Sequence, residues 1–421
     1  MDDILSLCRN KDAVERVMTP RQRVAGLLDR GVVIPCPSSV EIAEDIDPTR
    51  IAPGVVLHTG TRLSGPRTLL APGVVVGAEG PANVNNTVAG HDAKLDGGTF
   101  THATFLDGAG ARSWAHVRAG CLLEESASVA HCVGIKQTIL FPWVTLGSLI
   151  NFCDVLMAGG SGPKDHSEVG SGYIHFNFTP RGDKATPSLY GDVARGVLID
   201  RPRIFLGGMA ASVGPMHVGY GAFAGPGEVY RRNIKEGRFV LGERKPTLSM
   251  DYEPRLLTGL RGKFAKNLTF LGNLVALRRW YVDARPLLTG SDPWRAQVIT
   301  AGRESVDSAI AERIKQLGNL VRLIPESADL LDQNGSDRQA ADQRRLIELW
   351  PRLKETLLDH ASLGNTGVHR EAALKSLAQG EGSYTQVMKG LSTASKESVE
   401  TWLSDMVTDV VSRGKAVLAA T

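Results

Sequence analysis

Cysteine is scarce in this chain and never closely paired: Cys8, Cys36, Cys121, Cys132 and Cys153 are odd in number, and no C-x-x-C occurs. That pattern speaks against a disulfide framework and against a zinc ribbon. No stretch approaches the roughly twenty apolar residues of a membrane span. The first residues, Met1-Asp-Asp-Ile-Leu-Ser-Leu, are acidic and lack the apolar core of an export signal. A cytoplasmic protein with no membrane partner is expected. A large excess of charge of either sign is missing too, since the formal net charge is +3 over 421 residues with no long basic run, so nucleic acid is not an expected partner. There is no Gly-x-Ser-x-Gly elbow, no Walker loop and no His-Glu-x-x-His run.

What the chain has instead is a period of six. Ile51, Leu57, Leu63 and Leu69 form one ladder, Val117, Leu123, Val129 and Ile135 a second, and Leu206, Ser212, Val218 and Ala224 a weaker third. Neither a helix nor an alternating strand has this period. A coil of three short sides does, because one residue per side points inward and stacks on its equivalents in the coils above and below. Gly, Pro and Asn between the ladder positions suit corners, where positive φ or a preset turn is needed. The expected fold is a left-handed parallel β-helix, a hexapeptide-repeat solenoid.

Three regions separate by texture. Residues 1–31 read as a short helical leader: Thr19-Pro20 supplies a cap and a first-turn proline, Val24, Leu27 and Leu28 an apolar face, and Gly31 a stop. Residues 32–254 carry the ladders. Residues 255–421 read as an α-helical C-terminal domain, with Val306, Ile310, Ile314, Leu317, Val321 and Ile324 stepping by three and four, as do Val399, Trp402, Leu403, Met406, Val410 and Val411. Segments near 257–281 and 343–358 follow the same rule.

Three six-residue sides make an eighteen-residue coil, so Arg118 and Lys136, eighteen apart, are expected one above the other at about 4.8 Å. Two stacked cations suit a phosphate or diphosphate, Arg as a fork and Lys as a point charge. A zinc site across a trimer would need histidines at a common stagger, and His116 and His131, fifteen apart, do not share one; no metal is expected. Cys121, Cys132 and Cys153 fall in β-helical stretches and read as small buried hydrophobes. Between 147 and 192 the rule of six fails, in Ala158-Gly-Gly-Ser-Gly-Pro-Lys-Asp-His166 and in Gly172-Tyr-Ile-His-Phe-Asn-Phe-Thr-Pro-Arg-Gly-Asp-Lys184. Excursions from a solenoid map to its binding face.

Residues 110–250 resemble the acetyltransferase domain of the bifunctional UDP-N-acetylglucosamine pyrophosphorylase/glucosamine-1-phosphate acetyltransferases, within the hexapeptide-repeat acyltransferase superfamily. The resemblance runs through Ala115-His-Val-Arg-Ala-Gly-Cys-Leu-Leu, Val133-Gly-Ile-Lys136, Leu146-Gly-Ser-Leu-Ile-Asn151, Gly172-Tyr-Ile-His-Phe-Asn177-Phe and Glu243-Arg244-Lys-Pro. It implies that Arg118 and Lys136 bind a sugar phosphate, that Asn177 meets both acetyl-CoA and substrate, that Lys184 binds substrate, that Arg244 lies by the coenzyme, and that the protein is a homotrimer with active sites between solenoids. It implies acyl transfer from acetyl-CoA or another acyl-CoA to an amino-sugar phosphate or nucleotide sugar.

Two departures qualify it. The family's general base is the histidine of Gly-His-Leu-Thr-Tyr, where this chain has Gly147-Ser148-Leu149-Ile150-Asn151, leaving Ser148 and Asn151 as substrate contacts and no base. Serine is not basic enough to take an amine's proton. About six residues are also inserted before Gly172, including His166; His166 and His175 are the candidates for the missing imidazole. The chain lacks the Gly-rich nucleotide loop of the family's pyrophosphorylase domain, so nucleotidyl transfer is not expected. The alternative to an enzyme is a non-catalytic trimeric scaffold or regulator that binds a sugar phosphate or nucleotide sugar.

Overall fold

In the computed structural model, residues 18–177, 183–242, 249, 251–359 and 367–419 are described. The ladders become the inner wall of a parallel β-solenoid. All four residues of each of the first two ladders are buried, and so are Leu206, Ser212, Val218 and Ala224. Ser212 keeps its ladder position because its hydroxyl pairs with that of Tyr190 at 2.6 Å, which removes the cost of an unsatisfied polar group. One side of the solenoid is a ten-stranded parallel sheet from Val56–Leu57 to Phe239–Val240. The other two sides merge into a sixteen-stranded sheet, because the long strands Gly134–Leu140 and Asn151–Met157 run on round a corner.

Coil length is not constant. His116 pairs with Gly134, eighteen residues on, but Gly134 pairs with Asn151, seventeen on. Corners absorb the difference with single residues in the left-handed region, among them Trp114, Cys132, Leu149 and Asp154 (φ 61°, 57°, 59° and 57°). Close approach also requires glycine at Gly98 (φ 118°), where a Cβ would stand 2.1 Å from the Ala115 carbonyl oxygen. Two coils are much longer: Thr145 to Glu168 includes an antiparallel hairpin, and Glu168 to Phe205 includes the segment around residue 183 and a one-turn helix. The hairpin is the inserted segment that contains His166.

Helices flank this frame. α1 (Pro20–Asp29) has the expected cap at Thr19, closed as a capping box by Gln22, and buries Val24 and Leu27, but Leu28 is exposed. Residues 1–17 lie outside the described residues. α2 is the turn Val193–Gly196. The helices α3 (Leu260–Arg279), α4 (Pro293–Arg322), α5 (Ile324–Gln333), α6 (Asp337–Leu358), α7 (Val368–Ala378), α8 (Tyr384–Gly390) and α9 (Thr393–Ala419) follow. Their apolar stripes join the solenoid in one main core, apart from a small second cluster of Ala328, Leu331 and Ala340 between α5 and α6, and Val411 is the only residue of the two quoted stripes left partly buried.

Buried polar contacts fix how the helices sit on the coils. Asn267 donates to the Ala185 carbonyl (3.0 Å), the Val193 amide donates to Asn273 (2.9 Å), and the Tyr384 hydroxyl donates to the Val197 carbonyl (2.7 Å). Tyr281 donates to Glu124 at 2.6 Å, while Arg285 pairs with Glu125 and lies over the Tyr384 ring. Burial pushes the Glu124 carboxyl up to about 7 against the opposing pull of Arg285.

Candidate functional site

The strand Asn151–Met157 gathers most of the expected site. Val117 pairs with Ile135, and Lys136 pairs with Cys153, so Arg118, Lys136 and Cys153 occupy one column on three successive coils. Because Val117 and Ile135 point inward, strand alternation turns this column outward. Arg118 reaches past Lys136 to donate from Nη2 to Cys153 Sγ at 3.3 Å, and Cys153 Sγ donates to Asn151 Oδ1 at 3.3 Å. Both cations are half-buried, and among the described residues neither has an acidic partner. Arg118 Nε is buried with no hydrogen bond. The strands that carry the two like charges are one spacing of ~4.8 Å apart, so the charges repel, an arrangement that a bound anion would relieve.

Asp154, the next residue, ties the excursion to the helices. Its Oδ2 accepts from Asn177 Nδ2 at 2.7 Å, and its Oδ1 accepts from Arg313 Nη2 at 2.7 Å. Arg313, on α4, also donates from Nη1 to the Lys184 carbonyl at 3.0 Å. One buried guanidinium therefore holds both flanks of the segment that carries Asn177 and Lys184. The Lys184 side chain is exposed. Phe178 and Arg244 fall outside the described residues.

The two candidate imidazoles fare differently from expectation. His175 lies between the exposed Ile174 and Phe176 and therefore points inward. Its Nδ1 donates to the Cys153 carbonyl and its Nε2 accepts from Ser188 Oγ, each at 2.7 Å. Burial is the main cause of its pKa being pushed down to about 4. With both nitrogens engaged and no solvent contact, His175 is a structural residue and not a base. His166 sits on the hairpin Gly160–Gly162/Asp165–His166, donating from Nδ1 to the Pro163 carbonyl (2.9 Å), and no hydrogen bond links it to the Arg118 group.

A histidine outside the expected set stands beside Ser148. His131 and Ser148 each precede a left-handed corner residue, Cys132 and Leu149, and the Leu149 amide donates to the His131 carbonyl at 3.1 Å. His131 Nδ1 and Ser148 Oγ are 2.8 Å apart, and the Ser148 amide donates to Ser171 Oγ at 3.1 Å. Cys132, expected to be buried, is exposed because the corner turns it outward. Along the same corner, Trp114, Leu149 and Met209 are 67%, 63% and 78% exposed, an apolar ridge beside His131 and Ser148.

Cations also collect at the solenoid's last described coil, where Arg231, Arg232, Lys235 and Arg238 line an open hollow of about 600 Å³ with Glu228. None of the four has a carboxylate partner among the described residues. No cluster of three or more potential metal ligands occurs among the described residues either, and no described helix is long and apolar enough to cross a membrane.

No family model matches the chain. The bifunctional protein GlmU of Lawsonia intracellularis is 26% identical over 227 residues, covering 52% of this chain and 43% of that protein. The GlmU protein of Nitratidesulfovibrio vulgaris strain DP4 is 25% identical over 232 residues (53% and 44%), and that of Thermus thermophilus 26% over 233 residues (55% and 46%). This chain resembles the GlmU proteins over about half its length. It spans less than half the length of these GlmU relatives. A solved structure of LpxA from Acinetobacter baumannii aligns with 65% of this chain and 95% of that one at 12% identity, with a TM-score of 0.17, too low to carry the fold across. The solenoid stands on its own register instead, and the hexapeptide-repeat resemblance read from the residues is the one the GlmU matches support.

Proposed function

We propose that this protein is an acyltransferase that moves an acyl group from a coenzyme A thioester to the amine of a sugar phosphate or nucleotide sugar. The observation that carries the proposal is the Arg118–Lys136 pair, stacked on adjacent coils with no carboxylate partner among the described residues. A scaffold that binds no anion has no need of two repelling cations held in register, whereas a phosphate placed against them gains charge-assisted hydrogen bonds from both. Asn151 and Asn177, anchored through Cys153 and Asp154, offer amide groups on the same strand and its neighbour. The four cations at the last coil fit a polyanionic donor such as coenzyme A, whose phosphates they would hold while its thioester lay toward the corner. The exposed Trp114, Leu149 and Met209 ridge suits burial against a second solenoid, so the proposal includes a homotrimer with each site completed by a neighbour.

A second reading, a non-catalytic trimer that binds a sugar phosphate or nucleotide sugar, draws on Ser148, which stands where the resemblance expects a base. A thermal-shift series with acetyl-CoA, UDP-N-acetylglucosamine and glucosamine 1-phosphate tests binding, because a ligand of the folded state raises the midpoint by mass action. Thiol release from acetyl-CoA in the presence of each amine then separates the readings. Binding of the sugar ligand with no release under any pairing would favour the scaffold.

A further inference from the structure

We propose that His131 is the imidazole that takes the proton of the attacking amine, held in place by Ser148 from the next coil. The inference rests on the acyl-transfer reading above and supplies its missing base. A general base needs an unprotonated nitrogen open to the substrate. His175 has none, and His166 lies on the inserted hairpin, away from the corner that holds Ser148, with its Nδ1 on the Pro163 carbonyl. His131 is exposed, its Nδ1 is engaged by Ser148 Oγ at 2.8 Å, and its Nε2 has no hydrogen-bond partner among the described residues. When Nδ1 carries the proton and donates it to Ser148, Nε2 presents its lone pair outward.

Position supports the same assignment. The corner preceding Asn151 contains Ser148, and the equivalent corner preceding Gly134 contains His131, so the two residues are register partners seventeen apart. The strands that leave these corners carry Lys136 and Asn151. An imidazole anchored over Ser148 therefore stands at the corner that opens the strand carrying Lys136, five residues ahead of that cation, on the coil before Ser148 instead of at residue 148 itself. Ser171, hydrogen-bonded to the Ser148 amide, fixes the serine's backbone from the opposite side.

The step balances without a further reactant. The amine nitrogen attacks the thioester carbonyl carbon and a carbon–nitrogen bond forms. The tetrahedral intermediate collapses with cleavage of the carbon–sulfur bond, the electron pair leaving on sulfur. The amine proton passes to His131 Nε2 and then to the thiolate, giving amide and free thiol and restoring the neutral ring. Ser148 touches none of the reacting atoms and is a positioning residue.

The test measures thiol release from acetyl-CoA with glucosamine 1-phosphate for the full chain and four variants. His131→Ala and His131→Gln should lower kcat by about 10²- to 10⁴-fold, with KM within about threefold of the parent because uniform binding is untouched. Ser148→Ala should cost roughly tenfold yet keep the acidic limb of the kcat/KM–pH profile, which His131→Ala should lose. The double variant His131→Ala/Ser148→His should recover at least about tenfold over His131→Ala, because an imidazole is restored one coil along. Unchanged thermal midpoints confirm that these exposed substitutions leave the fold intact. An active parent whose His131 variants keep more than about a third of kcat overturns the inference alone. A parent with no transfer overturns the acyl-transfer reading and this inference with it.

Discussion

Arg313→Met is the most direct probe of why the helices are there. Arg313 is 2% exposed and Asp154 7%, and the guanidinium is the only cation within ion-pair distance of that carboxylate among the described residues. Methionine fills much of the side-chain volume but donates nothing, so Asp154 is left buried with Asn177 alone, and the Lys184 carbonyl loses its donor. Removing one partner of a buried ion pair costs about 3–5 kcal/mol; the remaining amide bond places this site near the lower end, at about 3 kcal/mol. Urea denaturation followed by circular dichroism reads the change as a shift in midpoint at constant slope. Adding Asp154→Asn removes the stranded charge, and asparagine tolerates the left-handed backbone found there (φ 57°). The double variant should regain about 2 kcal/mol, a coupling typical of directly bonded residues. A single variant within about 1 kcal/mol of the parent, or a double variant no more stable than the single, would refute the claim that α4 anchors the site through this pair.

The solenoid was legible because its inner wall repeats in the sequence itself. Any residue at a ladder position is carried inward by its neighbours, which is why even Ser212 is buried. The Arg118–Lys136 column was legible for the same reason, since the coil between them has the nominal eighteen residues. One coil later the count drops to seventeen, and a fixed period then separates His131 from Ser148 instead of joining them. Pairing across a variable coil has to be read from the corner residues, which sequence spacing alone does not number. His175 was misread by polarity: the chain places apolar Ile174 and Phe176 outside and the imidazole inside, because Cys153 and Ser188 satisfy both nitrogens. Arg313 left a trace. It completes the helical stripe Val306, Ile310, Arg313 and Leu317, all of them buried, and an arginine on an apolar face signals a buried acid elsewhere. Which acid answers it, Asp154 at a distance of 159 residues, is set by how the helix docks and has no local signature.

Three further outcomes are expected. Arg118→Ala should weaken glucosamine 1-phosphate binding by about 1.5–3 kcal/mol in titration calorimetry, the range for a charge-assisted hydrogen bond, with the fold intact; equal affinity would return Arg118 and Lys136 to the role of solvated surface cations. Light scattering at micromolar concentration should give a trimer for the parent and smaller species for Leu149→Asp, whose charge would be buried without a partner; a monomeric parent would remove the shared-site arrangement. The last outcome concerns pH. His175 has a usual value of 6.5 and is pushed down to about 4 in the folded protein, so between these limits the unfolded chain binds a proton that the folded one refuses. The stability it contributes is present above about pH 6.5 and lost as pH falls. Glu124 works in the opposite sense: with its carboxyl raised from 4.5 to about 7, the folded protein holds the extra proton, and that stability is present below about pH 4.5 and lost as pH rises through 7. Over the shared window each group changes stability by about 1.4 kcal/mol per pH unit, and the two slopes cancel. Glu124→Gln keeps an acceptor for the Tyr281 hydroxyl and removes only the proton site. Between pH 7 and pH 4.5 its stability in urea should therefore fall by about 2 kcal/mol more than the parent's does. A variant with the same pH dependence as the parent would show that burial does not raise the Glu124 carboxyl, and the opposed-proton account of this solenoid would fail.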